Sequence, residues 1–210
     1  MILDLYNQRH VIKAILFDLG NVIVPFDFKR AYAKLGPLCS CPVTEISARL
    51  RSTDLVSRFE TGRIAAEPFV AELSTLLDLK TTYSEFCDLW TSVFFEDTLV
   101  PESLIAGLHG RHRLVILSNT NPIHFSMLKA RYPVFRHFDD FVLSYQVGAL
   151  KPEPEIYQEA IQRAGCRPDE CFFTDDIAVN VEAARNHGMD AVQFLSAEQL
   201  EQELKARGLL

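Results

Sequence analysis

Five short, nearly unbroken apolar runs constrain this chain most: Ile12 to Phe17, Leu114 to Leu117, Phe141 to Leu143, Cys171 to Phe173 and Ala191 to Phe194. Runs of this length without alternating polar positions suit strands of a parallel sheet covered on both faces. Segments with helical spacing lie between them, at Ile123 to Tyr132, Glu155 to Ala164 and Ala178 to His187, with Gly165 and Gly188 where helix ends favour glycine. This alternation predicts an α/β fold, a doubly wound parallel sheet of Rossmann-like type.

The span from Phe26 to Pro101 breaks the alternation, with helical patterns and no strong strand signal. It predicts helices over Lys29 to Leu35, Val43 to Leu50, Leu55 to Glu60, Glu67 to Leu77 and Tyr83 to Phe94. The expected organisation is a core of residues 11–25 and 101–210 with an inserted helical unit over 26–100. Because the insertion leaves directly after the first strand, it should overhang that strand's end as a cap.

Bulk properties narrow the function. At 48% hydrophobic and 23% charged residues over 210 positions, the chain is an ordinary folded protein. A net charge of −7 and the lack of any Lys/Arg-rich run argue against a nucleic-acid partner. A small anionic substrate remains compatible if a metal or a few local cations reverse the field in its site. The five cysteines, Cys39, Cys41, Cys87, Cys166 and Cys171, are odd in number and scattered, as expected of reduced thiols in a cytoplasmic protein. Cys39-Ser-Cys41 has no second Cys/His pair at metal-binding spacing. Met1 to His10 is interrupted by Asp4, Asn7, Gln8 and Arg9, so no signal-peptide core is expected there, and no stretch approaches the ~18 apolar residues of a membrane span.

Ligands of an open parallel sheet bind at the carboxyl ends of the strands. Four such places carry chemistry here: Asp18, Ser118-Asn119-Thr120, Lys151-Pro152 and Asp175-Asp176. Each alone suits a cap, a turn or a solvated surface. Together they supply a carboxylate nucleophile, a hydroxyl donor, a cation and a metal-binding acid pair, the parts needed for phosphoryl transfer through an aspartyl phosphate.

On these residues the chain resembles the haloacid dehalogenase-like hydrolase superfamily, from about Val11 to Phe194. Phe17-Asp18-Leu19-Gly20-Asn21-Val22 resembles its first motif, Leu117-Ser118-Asn119 the second, Leu150-Lys151-Pro152 the third and Phe173-Thr174-Asp175-Asp176 the fourth. The insertion is similar to the cap of the superfamily's commonest branch, with Arg58 to Ile64 like its substrate-facing loop. The Asp-Leu-Gly-Asn-Val start is similar to that of bacterial sugar-phosphate phosphatases, including those acting on glucose 1-phosphate. The resemblance implies Asp18 as nucleophile, and Ser118, Asn119 and Lys151 around the phosphoryl group. It also implies Mg²⁺ held by Asp18, the Gly20 carbonyl, Asp175 and Asp176, with Asn180 as a brace.

One position departs from that pattern. Most phosphatases of the superfamily carry, two residues after the nucleophile, an aspartate that protonates the leaving group, and here Gly20 stands there. General acid–base catalysis contributes about 10²- to 10⁴-fold, so its loss favours substrates with an acidic leaving oxygen, such as anomeric or acyl phosphates. Asp27 is the sequence's nearest candidate for a replacement. Arg58, Phe59, Glu60, Arg63 and Trp90 are candidate substrate contacts in the insertion. Two alternatives share the fold, a metal-independent 2-haloacid dehalogenase and a non-catalytic phosphate-ligand binder. The expected partner is a small phosphorylated substrate, with the protein a monomer or homodimer.

Overall fold

The structure, a computed structural model, describes residues 11–210. Met1 to His10, read above for a signal-peptide core, lies outside the described residues.

Five parallel strands form one sheet: β1 (Ala14–Phe17), β2 (Arg113–Ser118), β3 (Asp140–Leu143), β4 (Cys171–Asp175) and β5 (Asp190–Gln193), in the order β3-β2-β1-β4-β5. The apolar runs are continuous because both faces are covered. Ile15, Phe17, Leu114, Ile116 and Phe172 point into one core layer, and Ala14, Leu16, Val115, Leu117 and Phe173 into the other. The first layer is closed by α6 (Glu102–Leu108), α7 (Pro122–Arg131) and α11 (Ala197–Ala206), and the second by α9 (Pro154–Ala164) and α10 (Ala178–Asn186). A short helix, α8 (Ser144–Val147), follows β3.

Strand order reverses direction at β1, whose neighbours are β2 and β4. The ends of these strands therefore flank the crevice where open α/β sheets take ligands. Phe17 pairs with Ile116 on one side and Thr174 on the other, so one residue further on Asp18 is level with Leu117 and Asp175.

The insertion folds as α1 (Phe28–Leu35), α2 (Val43–Arg51), α3 (Leu55–Glu60), α4 (Ala66–Leu77) and α5 (Tyr83–Thr91). It has its own core, with Leu35, Ile46, Phe59, Phe69, Phe86 and Trp90 packed together and Ile123 of α7 joining from below. Its two connections are tied to each other: Asp27 N donates to Val93 O at 2.9 Å, Phe95 N donates to Pro25 O at 3.1 Å, and Phe26 bridges Phe94. Helix α5 thus ends at Thr91, short of Phe94, because the chain must turn to pair with the outgoing segment.

Candidate active site

Three strand ends, of β1, β2 and β4, converge on one buried ammonium, that of Lys151, which comes from the loop between α8 and α9 rather than from a strand end as expected. Lys151 Nζ lies 2.8 Å from Asp18 Oδ1 and 2.6 Å from Asp175 Oδ2, and donates to Leu117 O at 3.0 Å. Burial alone would lower the Lys151 pKa, but the two carboxylates outweigh it and hold the lysine charged, above its usual value. Lys151 is set in place through its backbone, since its N–H donates to Asn119 Oδ1 at 2.7 Å and its carbonyl accepts from Asn119 Nδ2 at 3.0 Å. Asn119, expected to meet substrate, thus clamps the β2 end to the lysine loop.

Asp175 is fully engaged. Its Oδ1 accepts from Ile177 N at 2.8 Å and Asn180 Nδ2 at 3.2 Å, and its Oδ2 from Lys151 and from Asn180 Nδ2 at 3.1 Å. Asn180 is the brace the sequence suggested, itself tied down as its carbonyl accepts from Tyr157 Oη at 2.9 Å. Asp176 is half-buried, and its carboxyl is raised by burial and by the neighbouring Asp175, against a hydrogen bond from Asn21. Burial pushes the Asp18 carboxyl up to about 7, with Asp175 adding to the rise and Lys151 opposing it.

One carboxylate oxygen from each of Asp18, Asp175 and Asp176 lies within 4.8 Å of the others. Three acids around a single lysine leave excess negative charge in a poorly solvated place. An oxygen-only donor set with that excess fits a hard divalent cation such as Mg²⁺, and Asp18 and Asp176 are the less committed donors.

The turn after β1 is built for tight reversal. Ile23 N and Val24 N both donate to Leu19 O at 2.9 Å, and Asn21 adopts φ 53°, which asparagine tolerates better than most residues. Asn21 Oδ1 accepts from Phe26 N at 3.2 Å, so this side chain links the turn to the insertion as well as to Asp176. Ser118 is buried beside Asp18, and its hydroxyl has only a long 3.4 Å contact to Asn119 O, so it is free to turn toward a ligand. Ser144 Oγ, receiving from Thr120 N at 2.9 Å and donating to Thr120 O at 3.0 Å, fixes the loop that follows.

A cavity of about 110 Å³ opens above these groups, with Leu19, Gly20, Ser118 and Asn119 on its core side and Phe26, Phe28, Glu60 and Phe94 on the insertion side. Its size suits a small ligand. Asp27 is not aimed at chemistry: its carboxylate caps α1, accepting from Lys29 N at 2.9 Å. Phe59 and Trp90 are core residues of the insertion rather than ligand contacts, and Arg58 pairs with Glu72 at 3.1 Å on another face. Arg63 is exposed. Asn21, Ser144 and His124, a cavity-lining residue of α7, were missed by sequence reasoning. Asparagine directly after the Gly20 turn was the one available signal.

Fold and site together define an α/β protein with a strand-end carboxylate held against a buried lysine at the topological switch point of its sheet. Residues 12–188 match the haloacid dehalogenase-like hydrolase family. The chain is 32% identical over 208 residues to the D-ribitol-5-phosphate phosphatase of Bacteroides thetaiotaomicron, covering 92% of this chain and 97% of that one. It is 29% identical to Phosphatase MT3486 of Mycobacterium tuberculosis over 86% of both chains. Among solved structures, a Bacteroides thetaiotaomicron enzyme of the family in complex with magnesium and inorganic phosphate superimposes with a TM-score of 0.77 at 26% identity, covering 88% of this chain and 95% of that chain. The chain belongs to the haloacid dehalogenase-like hydrolase family, and it is a hydrolase.

Proposed function

We propose that the protein is a Mg²⁺-dependent phosphatase of a small organic phosphate, a sugar or sugar-alcohol phosphate, working through an aspartyl phosphate on Asp18. The observation that carries this reading is Lys151 Nζ bridging Asp18 and Asp175 within a cluster of three carboxylates. The names of the matched relatives and the magnesium–phosphate complex of a structural neighbour support it.

In this reading an Asp18 oxygen attacks phosphorus while the bond to the leaving oxygen breaks, and water then attacks phosphorus and restores the carboxylate. Ser118 and Lys151 donate to phosphoryl oxygens, placing fixed positive charge where negative charge collects. Asp18, the Gly20 carbonyl, Asp175 and Asp176 would hold Mg²⁺, with Asp175 acting mainly to fix Lys151. When bound, the ion neutralises phosphoryl charge and keeps Asp18 ionised at neutral pH. A dehalogenase acting on a carboxylate substrate would face the same three acids with no cation to offset them.

Residues 26–100 act as a cap over the core of 11–25 and 101–210, closing the cavity and choosing the substrate. No helix among the described residues is long and apolar enough to cross a membrane. Cys39, Cys41, Cys87, Cys166 and Cys171 are all free thiols, which supports a cytoplasmic enzyme. The test is phosphate release from sugar phosphates, sugar-alcohol phosphates, acyl phosphates and nucleotides, with Mg²⁺ or EDTA. Release that needs both Mg²⁺ and Asp18 supports the reading, and release that survives EDTA or Asp18→Asn overturns it.

A further inference from the structure

Phosphoryl transfer at Asp18 requires a proton for the leaving oxygen, and Gly20 has no side chain to bring one. The groups nearest the centre are occupied. Asp175 has its oxygens taken by four hydrogen bonds from three donors, Asp27 caps α1, and Asp176 belongs to the acid cluster. Of the residues that line the cavity, the titratable ones are His124 and Glu60. His124 has both ring nitrogens in use: Nε2 donates to Trp90 O at 3.1 Å, and Nδ1 accepts from Asn121 Nδ2 at 3.1 Å. Burial drives its pKa down to about 4, so it stays neutral at physiological pH.

Glu60 differs. It is the last residue of α3 and faces the cavity from the insertion side, opposite Gly20, Ser118 and Asn119. No cation and no hydrogen-bond donor engages its carboxylate among the described residues, and burial raises it to about 7. Its placement is built rather than incidental. On one side Phe59 and Ile64 are buried in the insertion's core. On the other, Gly62 has φ +68° and runs so close to the core that an added Cβ would lie 2.1 Å from the carbonyl oxygen of Tyr145 in α8. Only glycine permits that approach, which rests the Glu60 loop on the core beside the site.

We infer that Glu60 is the general acid and then the general base of the reaction, reaching across the cavity to supply the function that Gly20 lacks. This rests on the phosphatase reading above. As Asp18 attacks and the phosphorus–oxygen bond to the alcohol breaks, the Glu60 carboxyl gives its proton to the departing oxygen. The resulting carboxylate then takes a proton from water as that water attacks the aspartyl phosphate. Asp18, inorganic phosphate and protonated Glu60 are regenerated. In-line attack puts the leaving oxygen on the side away from Asp18, toward the cap, where Glu60 stands. Poor leaving groups such as primary alkyl phosphates thereby become substrates, beside the anomeric and acyl phosphates that Gly20 alone would favour.

The test is the dependence of kcat/KM on leaving-group acidity across substituted phenyl phosphates and a primary alkyl phosphate, for wild type, Glu60→Gln and Glu60→Asp. Aryl esters carry no sugar hydroxyls, so a role in sugar binding does not register in the slope. Glu60→Gln should lose about 10²- to 10⁴-fold in kcat/KM on the alkyl phosphate and steepen the dependence, while kcat/KM on para-nitrophenyl phosphate, whose leaving oxygen needs no proton, falls far less. Its kcat should fall on every ester, because the shared aspartyl phosphate has lost its base. Should Glu60→Gln not fold, Glu60→Asp, with its shorter reach, should steepen the same dependence. Equal losses of kcat/KM on every ester, or none, overturn the inference. If wild-type enzyme releases no phosphate from any ester, or Asp18→Asn remains active, it is the phosphatase reading that has failed.

Discussion

Phe26 Cε1 lies 2.7 Å from where a Cβ on Gly20 would stand, so the aromatic ring occupies the space of the side chain that position lacks. The two residues are a matched pair, because an aspartate at position 20 would require the ring to move and with it the start of the insertion. Gly20→Asp should therefore destabilise the protein by ~1–3 kcal/mol, the usual cost of overpacking. Combining it with Phe26→Ala should recover part of that loss. Urea midpoints of the two variants decide the point, and a Gly20→Asp midpoint equal to wild type would show that the ring is not a barrier.

Metal binding can be read without catalysis. If Asp176 and Asp18 hold the ion, Mg²⁺ at about a hundredfold excess over its Kd should stabilise the wild-type fold by ~3 kcal/mol, seen as a rise in Tm. Asp176→Asn should abolish most of that rise. An undiminished rise in Asp176→Asn would place the ion elsewhere.

Lys151 is the structural keystone of the site as well as the proposed phosphate ligand. Replacing it by methionine leaves Asp18 and Asp175 buried without their shared cation, a change that typically costs ~3–5 kcal/mol. Lys151→Met should unfold at markedly lower urea in the absence of Mg²⁺ and be inactive with it. A stable Lys151→Met protein would mean that the two acids share a proton instead.

His124 makes a stability prediction. Its folded pKa of about 4 lies below the usual 6.5, so between those values the unfolded chain binds a proton that the folded protein excludes. Stability supplied by this residue is complete above about 6.5 and is lost as pH falls toward 4, by at most about 3 kcal/mol. The stability difference between wild type and His124→Gln should shrink over that window, and urea titrations at several pH values measure it. A pH-independent difference would contradict the buried neutral imidazole.

Much of this molecule is legible in its sequence, for reasons tied to particular residues. Strands covered on both faces declare themselves as apolar runs, so all five fall within a residue or two of expectation; Phe194, just past the end of β5, keeps the last ladder bond, its N–H donating to Asp175 O at 2.9 Å. Asp18 and Asp175 meet as expected because strand ends of a doubly wound sheet converge by topology, and Lys151 joins them from the loop after α8, its backbone clamped by Asn119. Which of the insertion's candidate contacts, Arg58, Phe59, Glu60, Arg63 and Trp90, faces the cavity was not legible; of these only Glu60 lines it. Asp27 is near Asp18 in sequence and turns to cap a helix, whereas Glu60 is far away and is brought over the site by the approach of Gly62 to Tyr145. Phe59 and Trp90 could be placed on helices but not on a face, since their burial depends on Phe69 and Phe86, with which they stack at 3.9 Å and 5.6 Å between ring centres.

The central claim is a phosphoryl group carried by Asp18, and trapping it is the most direct test. Enzyme mixed with a substrate bearing a radiolabelled phosphoryl group, quenched in acid within a single turnover and digested, should yield one labelled peptide, the one containing Asp18. The label should vanish in Asp18→Asn. Phosphate released by active enzyme with no protein-bound label at any quench time, or with the label on another residue, would contradict the account.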